Sequence, residues 1–594
     1  MQKQNKAVLK KRHLMRIQNN HRIKEQTFAN YLRAQTPIIL TYFFFLLIIL
    51  LPHIMWLKNT NYSFDYFKFS FDEDYYLNNV RNNIFYGRFL SYTVTKPLFL
   101  LFKNIFFVNL TLDIFLSTSI FFILNKIYKK IDIVRSLSPL AILTTIFSFD
   151  LFSLGNSSVF TKYNISFIRN LNPELFSFLI PDSTTSFLII NRSPEPQLSL
   201  LFFFLSILLL VNFSKDLHLN SFLFSLIGLI SGATYPFLAL LTLIVYSLFF
   251  TLMSLRNRKL YLQYFYFLIF FLGTFILHTS YAAQANGNSL VFQSRLPSFT
   301  PSLILSFIIL FFYIKKGLPQ KPFDTLCLAL ILTPIIITNQ QLVSGYMVSV
   351  RDWERNACYF ILTLGVFFSF FTKTITSKRK KRILPIFSFS LTTLTILTLL
   401  KAQYNTFISW NQRNEIALES CIALKNIPSS INLNSYEILI SPQIDINLVS
   451  THCEHINIFN NPTEHFTKPI PNLTNGNIPS KTHIYYFEKI LTYAQFFKIA
   501  PESLYKVMHS ELQNQSGYHL NYVFSLHDSW YPISDGRNLN INGVSITIKK
   551  IFKLGLKPSS HKKFIIITRK EEKVDTSFLT ELKSRNRVNL YITN

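Results

Sequence analysis

The chain has 594 residues, of which 49% are hydrophobic, and it contains 62 Phe but only 14 Gly. Apolar residues on this scale, gathered in many long runs, exclude a soluble globular protein and predict a polytopic α-helical membrane protein. The formal net charge of +29 does not indicate nucleic-acid binding, because no nucleic-acid-binding module accompanies it and most of it flanks apolar runs.

The N-terminal arm, residues 1–36, is strongly basic. We expect it to stay in the cytoplasm and to contact anionic membrane lipids. The apolar run 37–57 follows without a small-residue cleavage pattern, which favours an uncleaved first membrane span over a removed signal peptide. Residues 58–103 then form an outer loop.

About eleven segments are apolar enough for membrane spans, and together they define a membrane domain over residues 37–400. They lie near 37–57, 104–124, 137–154, 198–213, 218–234, 237–254, 260–277, 301–314, 323–338, 357–372 and 383–400.

The charges of the connecting segments agree with this topology. With the N-terminus inside, the inner connectors all carry Lys or Arg, as the positive-inside rule requires. These connectors are 126–130, 214–218, 256–259, 314–321 and 373–382. We therefore expect an integral membrane protein whose long, aromatic outer loops carry the function.

Residues 401–594 are predicted to form an extracytoplasmic soluble α/β domain. Cys421 and Cys453 lie in it and can pair if the domain is outside the cytoplasm. Strand-like runs occur at 436–440, 483–487, 545–552, 564–568 and 588–593, and helix-like segments at 411–425 and 574–585.

The first outer loop concentrates acids next to a membrane that excludes charge. Asp72, Glu73 and Asp74 are consecutive, and Gly87 and Arg88 follow. If residues 74–86 are helical, one face carries Asp74, Asn78, Arg81 and Phe85. The alternative interpretation is a set of solvated loop charges and arginines that snorkel to the interface.

The order of motifs in this loop resembles that of the GT-C glycosyltransferases that use polyprenyl-phosphate donors. The closest likeness is to protein mannosyltransferases and aminoarabinose transferases, in which an Asp-Glu pair and an aromatic residue precede a Gly and a Lys/His-Pro-Pro-Leu turn. The matching elements here are Phe71-Asp72-Glu73, Tyr75-Tyr76, Gly87 and Lys96-Pro97-Leu98. Leu98 replaces the second proline.

The element Gly87-Arg88-Phe89-Leu90 is also similar to one in bacterial glucosyltransferases that modify O-antigen. The resemblance covers about the first 130 residues by motif. It implies an integral protein of a bacterial inner (cell) membrane that transfers a sugar from a polyprenyl-phosphate donor to a cell-envelope glycan, lipid or protein acceptor on the outer face.

The resemblance also implies residue roles. Asp72 is expected to be the general base for the acceptor hydroxyl, with Glu73 and Asp74 completing the catalytic set. The expected donor-phosphate ligands are Arg88, Lys96 and Arg81. No cofactor is certain, but Asp72 and Asp74 could hold Mg²⁺ or Mn²⁺, since both ions prefer oxygen ligands.

The segment 191–197 supplies a second candidate group. An extended chain, favoured by Pro194 and Pro196, would let Arg192 contact the donor phosphate and Glu195 contact the sugar or acceptor. The alternative is a surface turn with a weak ion pair.

A third candidate group combines amides, charges and an aromatic ring, as carbohydrate sites do. The alternative is an interfacial aromatic anchor with local salt bridges. Its expected acceptor- or sugar-binding residues are Gln340, Gln341, Arg351, Asp352, Trp353, Glu354 and Arg355.

Two other functions stay open: a transporter or flippase of lipid-linked saccharide, and an O-antigen polymerase or ligase. A transporter places ionisable residues within its spans. Here the spans contain few, mainly Lys103, Asp113 and Asp150, which favours the enzyme. A polymerase or ligase would not require acids directly after the first span.

Overall fold

In the computed structural model the chain is mostly helical. The described residues are 35–61, 63–68, 77, 80–81, 89–152, 188–213, 217–258, 260–286, 291–293, 300–315, 321–340, 342, 346–348, 353, 357–371, 380–428, 431, 436–440, 444, 448–449, 453, 563–572, 579–585 and 587–593.

Thirteen α-helices are present in the described residues. They are α1 (Gln35–Asn59), α2 (Phe89–Phe102), α3 (Ile105–Lys130), α4 (Ser138–Ile146), α5 (Ser148–Phe152), α6 (Gln197–Val211), α7 (Leu217–Gly232), α8 (Pro236–Asn257), α9 (Leu262–Asn286), α10 (Pro301–Lys315), α11 (Pro322–Ile337), α12 (Tyr359–Phe370) and α13 (Lys380–Lys425). Short 3₁₀ turns occupy Arg135–Leu137 and Ile189–Asn191.

Within the described residues, four helices have the length and the apolar composition that a membrane crossing needs. They are α1, α3, α8 and the Leu384–Lys425 stretch of α13. The apolar stretches of the other apolar helices are shorter, at 10–17 residues. In α9, for example, the apolar stretch is Leu262–His278.

A helix occupies every segment that the sequence predicted to span the membrane, but the third such segment is divided. Residues 137–154 contain α4 and α5, and the backbone leaves helical geometry at Phe147. The sequence pattern alone did not show this break, since the whole segment is apolar.

Helix α2 was not predicted, because Lys96-Pro97-Leu98 was expected to form a turn. The structure places Pro97 inside α2 instead. Ser91, Thr95 and Phe99 recur every four residues and form the buried face of α2, so packing outweighs the hydrogen bond that a proline cannot donate. The side chain of Asn104 then caps α3 through the amide of Phe106, at 2.8 Å.

Helices α7 and α9 pack very closely. Gly228 and Gly232 lie four residues apart on α7 and face the backbone of α9. A Cβ atom at Gly232 would lie 2.6 Å from the carbonyl oxygen of Phe271. Close approach through small residues four apart is a common way for apolar helices to associate.

Helix α13 runs through residue 400, so the predicted boundary between the membrane domain and the C-terminal domain falls inside a helix. Beyond it lies a four-stranded sheet of β3 (Tyr436–Ile440), β4 (Lys563–Arg569), β5 (Leu579–Ser584) and β6 (Val588–Thr593). The order of the strands in this sheet is β3-β4-β6-β5. A separate two-stranded sheet pairs β1 (Val291–Gln293) with β2 (Tyr346–Val348).

Three predicted strands are confirmed, because 436–440, 564–568 and 588–593 lie within β3, β4 and β6. The predicted helix at 574–585 is wrong, since residues 579–584 are strand β5. A register shift between Glu581 and Lys583 interrupts the two-residue alternation that identifies a strand. The predicted strands 483–487 and 545–552 lie outside the described residues.

The sheet is joined to α13. Arg587, which follows β5, forms ion pairs with Glu415 and Glu419 of α13, and its backbone amide donates to Glu419 at 2.9 Å. Cys421 and Cys453 form a disulfide with their Cα atoms 5.2 Å apart. The pairing that the sequence left open is thus present in the structure.

We expect removal of this disulfide to lower the unfolding free energy by about 3 kcal/mol, because the bond closes a loop of 32 residues. Thermal unfolding of Cys421→Ser measures the loss. Maleimide labelling of the denatured wild type should modify two of its four cysteines before reduction and four after it. Four modified cysteines without reduction would contradict the pairing.

Candidate functional site

The beginning of the predicted catalytic loop is fixed against α1 and α13. The indole of Trp56 donates to the carbonyl oxygen of Asp65 at 2.9 Å. The side chain of Asn414 makes two bonds of 2.8 Å with Lys68, accepting from its amide and donating to its carbonyl oxygen. Phe67 stacks on Phe407 with ring centroids 5.3 Å apart.

The acids that the sequence predicted to be catalytic follow this docked stretch in the chain. Asp72, Glu73, Asp74 and Arg88 are outside the described residues. Asp72 follows Lys68 by four residues in the sequence.

The described part of the same loop includes two of the predicted cations, Arg81 and Lys96. Within the stretch 74–86 the described residues are Leu77, Val80 and Arg81, which are helical, and Leu77 and Val80 are buried. The ammonium group of Lys96 on α2 donates to the carbonyl oxygen of Val80 at 3.4 Å. Lys96 thus lies beside the backbone that carries Arg81, and both side chains are half-buried.

The segment 191–197 is neither extended nor on the surface. Residues 193–196 form a turn after the 3₁₀ helix, and every residue from 191 to 197 is buried. The extended conformation and the surface turn are both contradicted. Two cis peptide bonds precede Pro194 and Pro196. Arg192 and Glu195 therefore lie in the interior of the protein.

Asp113 of α3 is the buried centre that holds this segment. It accepts hydrogen bonds from Ser193 Oγ at 2.8 Å and from Gln197 Nε2 at 2.9 Å. Its other oxygen lies 3.0 Å from His53 Nε2 on α1. Asn109, one turn earlier on α3, donates to Ser193 Oγ at 3.2 Å.

The two ends of the segment are held by other helices. The side chain of Asn191 donates to the Ile49 carbonyl oxygen at 3.1 Å and accepts from Gln403 of α13 at 2.7 Å. Glu195 accepts from Ser91 of α2 at 2.5 Å and from Ser199 of α6 at 2.6 Å. The segment is thus bonded to five helices.

These contacts gather at one end of the bundle. His53 lies near the C-terminal end of α1, Asp113 near the N-terminal end of α3, and Ser199 near the N-terminal end of α6. Lys129, in a predicted inner connector, lies sixteen residues beyond Asp113 on α3, which is about 24 Å along the helix axis. It donates to Gln35 at the opposite end of α1.

The third candidate group is only partly described. Gln340 is half-buried in the turn after α11. Trp353 is buried, with its ring centroid 4.7 Å from that of Phe237 at the start of α8, so it packs in the core. Gln341, Arg351, Asp352, Glu354 and Arg355 lie outside the described residues.

A metal site is not formed by the part of the chain that the structure describes, where no three His, Cys, Asp or Glu side chains come together. The predicted Mg²⁺ or Mn²⁺ ligands, Asp72 and Asp74, are outside that part.

Several buried polar residues of the site were missed or given no role from the sequence. They are His53, Ser91, Asn109, Gln403 and Asn414. All five are buried in helices, where an unpaired polar group is costly. A polar residue inside an apolar run therefore indicates that a hydrogen-bond partner is needed. The sequence does not identify the partners, because they are 60 to 355 residues away.

The arrangement can hold charge in fixed positions. Two carboxylates, Asp113 and Glu195, each accept hydrogen bonds from side-chain donors. Arg192 directly precedes Ser193, which is bonded to Asp113. Groups held this way lose little freedom when a ligand binds, which is how a preorganised polar site works.

Comparison with protein-family models, curated proteins and solved structures finds no match to this chain.

Proposed function

We propose that this chain is a polytopic, GT-C-like membrane glycosyltransferase of a bacterial cell membrane. It transfers a sugar from a polyprenyl-phosphate donor to an envelope glycan, lipid or protein acceptor on the extracytoplasmic face. Asp72 acts as the general base.

One observation carries the proposal. Among the described residues, the buried charged side chains of Lys68, Asp113, Arg192 and Glu195 lie at the end of the bundle where residues 63–68 lead towards the acidic loop, and Lys129 lies at the other end. A lipid-linked sugar phosphate needs this asymmetry, because its phosphate lies at the membrane surface and its sugar points away from the membrane.

The Cys421–Cys453 disulfide supports the placement of the C-terminal domain outside the cytoplasm. Disulfides persist in oxidising compartments and are rare in the cytosol. Asn414 of the same helix bonds Lys68, four residues before Asp72 in the sequence, which supports the assignment of the acids to that side.

The proposed reaction follows from the residue types. Asp72 takes the proton of the acceptor hydroxyl while its oxygen attacks the anomeric carbon. The bond from that carbon to the phosphate oxygen breaks, and the polyprenyl phosphate leaves with the electron pair. Arg81, Arg88, Lys96 and Arg192 stabilise the charge that develops on the phosphate.

A flippase of lipid-linked saccharide is the second candidate, and the His53–Asp113 pair favours it. The pair is buried between two helices that are long enough to cross a membrane, and ionisable residues in such positions often serve transport.

Mass spectrometry of envelope glycans and lipids, with and without the intact chain, tests the two candidates. Loss of a sugar of defined mass, restored by purified protein, donor and acceptor in liposomes, supports the transferase. Movement of the donor across liposomes with no change in any glycan mass would instead establish the flippase.

A further inference from the structure

We propose that Asp113 is a positioning residue for Arg192, and that His53 in turn positions Asp113. The inference rests on the proposed function in one respect: the anion that Arg192 binds is the phosphate of a polyprenyl phosphate. It assigns roles to two buried residues that the proposed reaction does not use.

The residues on both sides of Arg192 are fixed by side chains from distant parts of the chain. Asn191 is bonded to Ile49 of α1 and to Gln403 of α13. Ser193 is bonded to Asp113 and Asn109 of α3. The backbone of Arg192 therefore has little freedom to move.

Asp113 is the acidic residue that α3 contributes to this network. One of its carboxyl oxygens accepts from both Ser193 and Gln197, and hydrogen bonds to a carboxylate are stronger than those between neutral groups. His53 Nε2, at 3.0 Å, fixes the rotamer of the carboxyl group from the other side. Asp113 and His53 are both buried, which excludes competing water.

Arg192 suits an anionic ligand at this position. It is 6% exposed and lies at the end of the bundle that leads into the acidic loop. A guanidinium group has five N–H donors, so it can bind a phosphate oxygen while it keeps a protein partner. Its planar fork binds phosphate best when its direction is fixed.

The experiment measures binding of farnesyl phosphate and of uncharged farnesol to the full chain in nanodiscs of neutral phosphatidylcholine. Wild type should prefer the phosphate. Asp113→Asn should weaken binding of farnesyl phosphate about tenfold, as expected for loss of one charge-assisted bond, and should leave farnesol binding unchanged. Ser117→Ala, one turn farther along α3 and equally buried, is the matched control and should bind both probes as wild type does.

A second pair of variants decides the question if Asp113→Asn does not fold. His53→Gln keeps an N–H donor near the position of Nε2 and should retain the phosphate preference, whereas His53→Leu should lose it. Equal phosphate binding by wild type and by folded Asp113→Asn or His53→Leu would overturn the inference. Absence of any phosphate preference in wild type would overturn it as well.

The outcomes separate this inference from the proposed function. If the variants change phosphate binding but no sugar is transferred by wild type, the positioning role stands and the transferase is wrong. If wild type transfers sugar and Asp113→Asn binds and transfers equally well, the transferase stands and the positioning role is wrong.

Discussion

Replacement of Asp72 by Asn is expected to reduce sugar transfer at least about 100-fold, the usual minimum contribution of a general base. The amide has almost the shape of the carboxylate but cannot take the proton of the acceptor hydroxyl. Binding of the donor should change little, because its phosphate is held by the basic residues. Turnover of purified protein with a radiolabelled polyprenyl-phosphate sugar measures the loss.

Asp65→Asn is the matched control for this variant. Asp65 lies in the same segment, seven residues before Asp72, but its carboxylate accepts from Ser63 at 2.5 Å in an exposed bond, and it has no role in the proposed reaction. We expect Asp65→Asn to keep wild-type turnover. Wild-type turnover by a folded, inserted Asp72→Asn would remove Asp72 from the mechanism.

The positions of the helices other than α2 could be predicted from the sequence, but several of their ends and the break between α4 and α5 could not. Apolar runs identify helices well, because burying the backbone in an apolar environment leaves few alternatives to a helix. The end of α13 illustrates the limit: the hydrophobic pattern stops near residue 400, whereas the helix continues to Lys425. Trp410 and Cys421 on its later turns are buried, so packing with other parts of the chain extends it.

The candidate site could be predicted only where its chemistry is local in sequence. The prolines beside Arg192 and Glu195 predicted an extended chain for the segment 191–197, with a surface turn as the alternative. The structure buries the segment, since Asp113, Gln403 and Ser91 supply its hydrogen-bond partners. These partners are up to 212 residues away, and no local pattern can reveal that they meet.

Replacement of Gly228 by Ala is expected to lower the unfolding free energy by about 2 to 4 kcal/mol, the upper range for inserting a group into a tightly packed contact. A Cβ atom at this position would collide with the carbonyl oxygen of Phe267. Because that oxygen belongs to the backbone of α9, no side-chain rotation can relieve the collision, and the two helices must separate. Thermal unfolding in detergent, followed by tryptophan fluorescence, measures the change.

Gly273 provides the matched control within the same helix pair. It lies on α9, and a Cβ atom there would have no neighbour within 4 Å. Gly273→Ala should therefore cause no loss of stability and could add up to about 1 kcal/mol through the better helix propensity of alanine. Equal stability of the two variants would show that α7 and α9 are not packed through Gly228, since propensity alone favours alanine at both positions. A loss of stability in Gly228→Ala but not in Gly273→Ala would show that α7 and α9 are in close contact where Gly228 meets Phe267. The same close packing brings Gly232 against Phe271 one turn later.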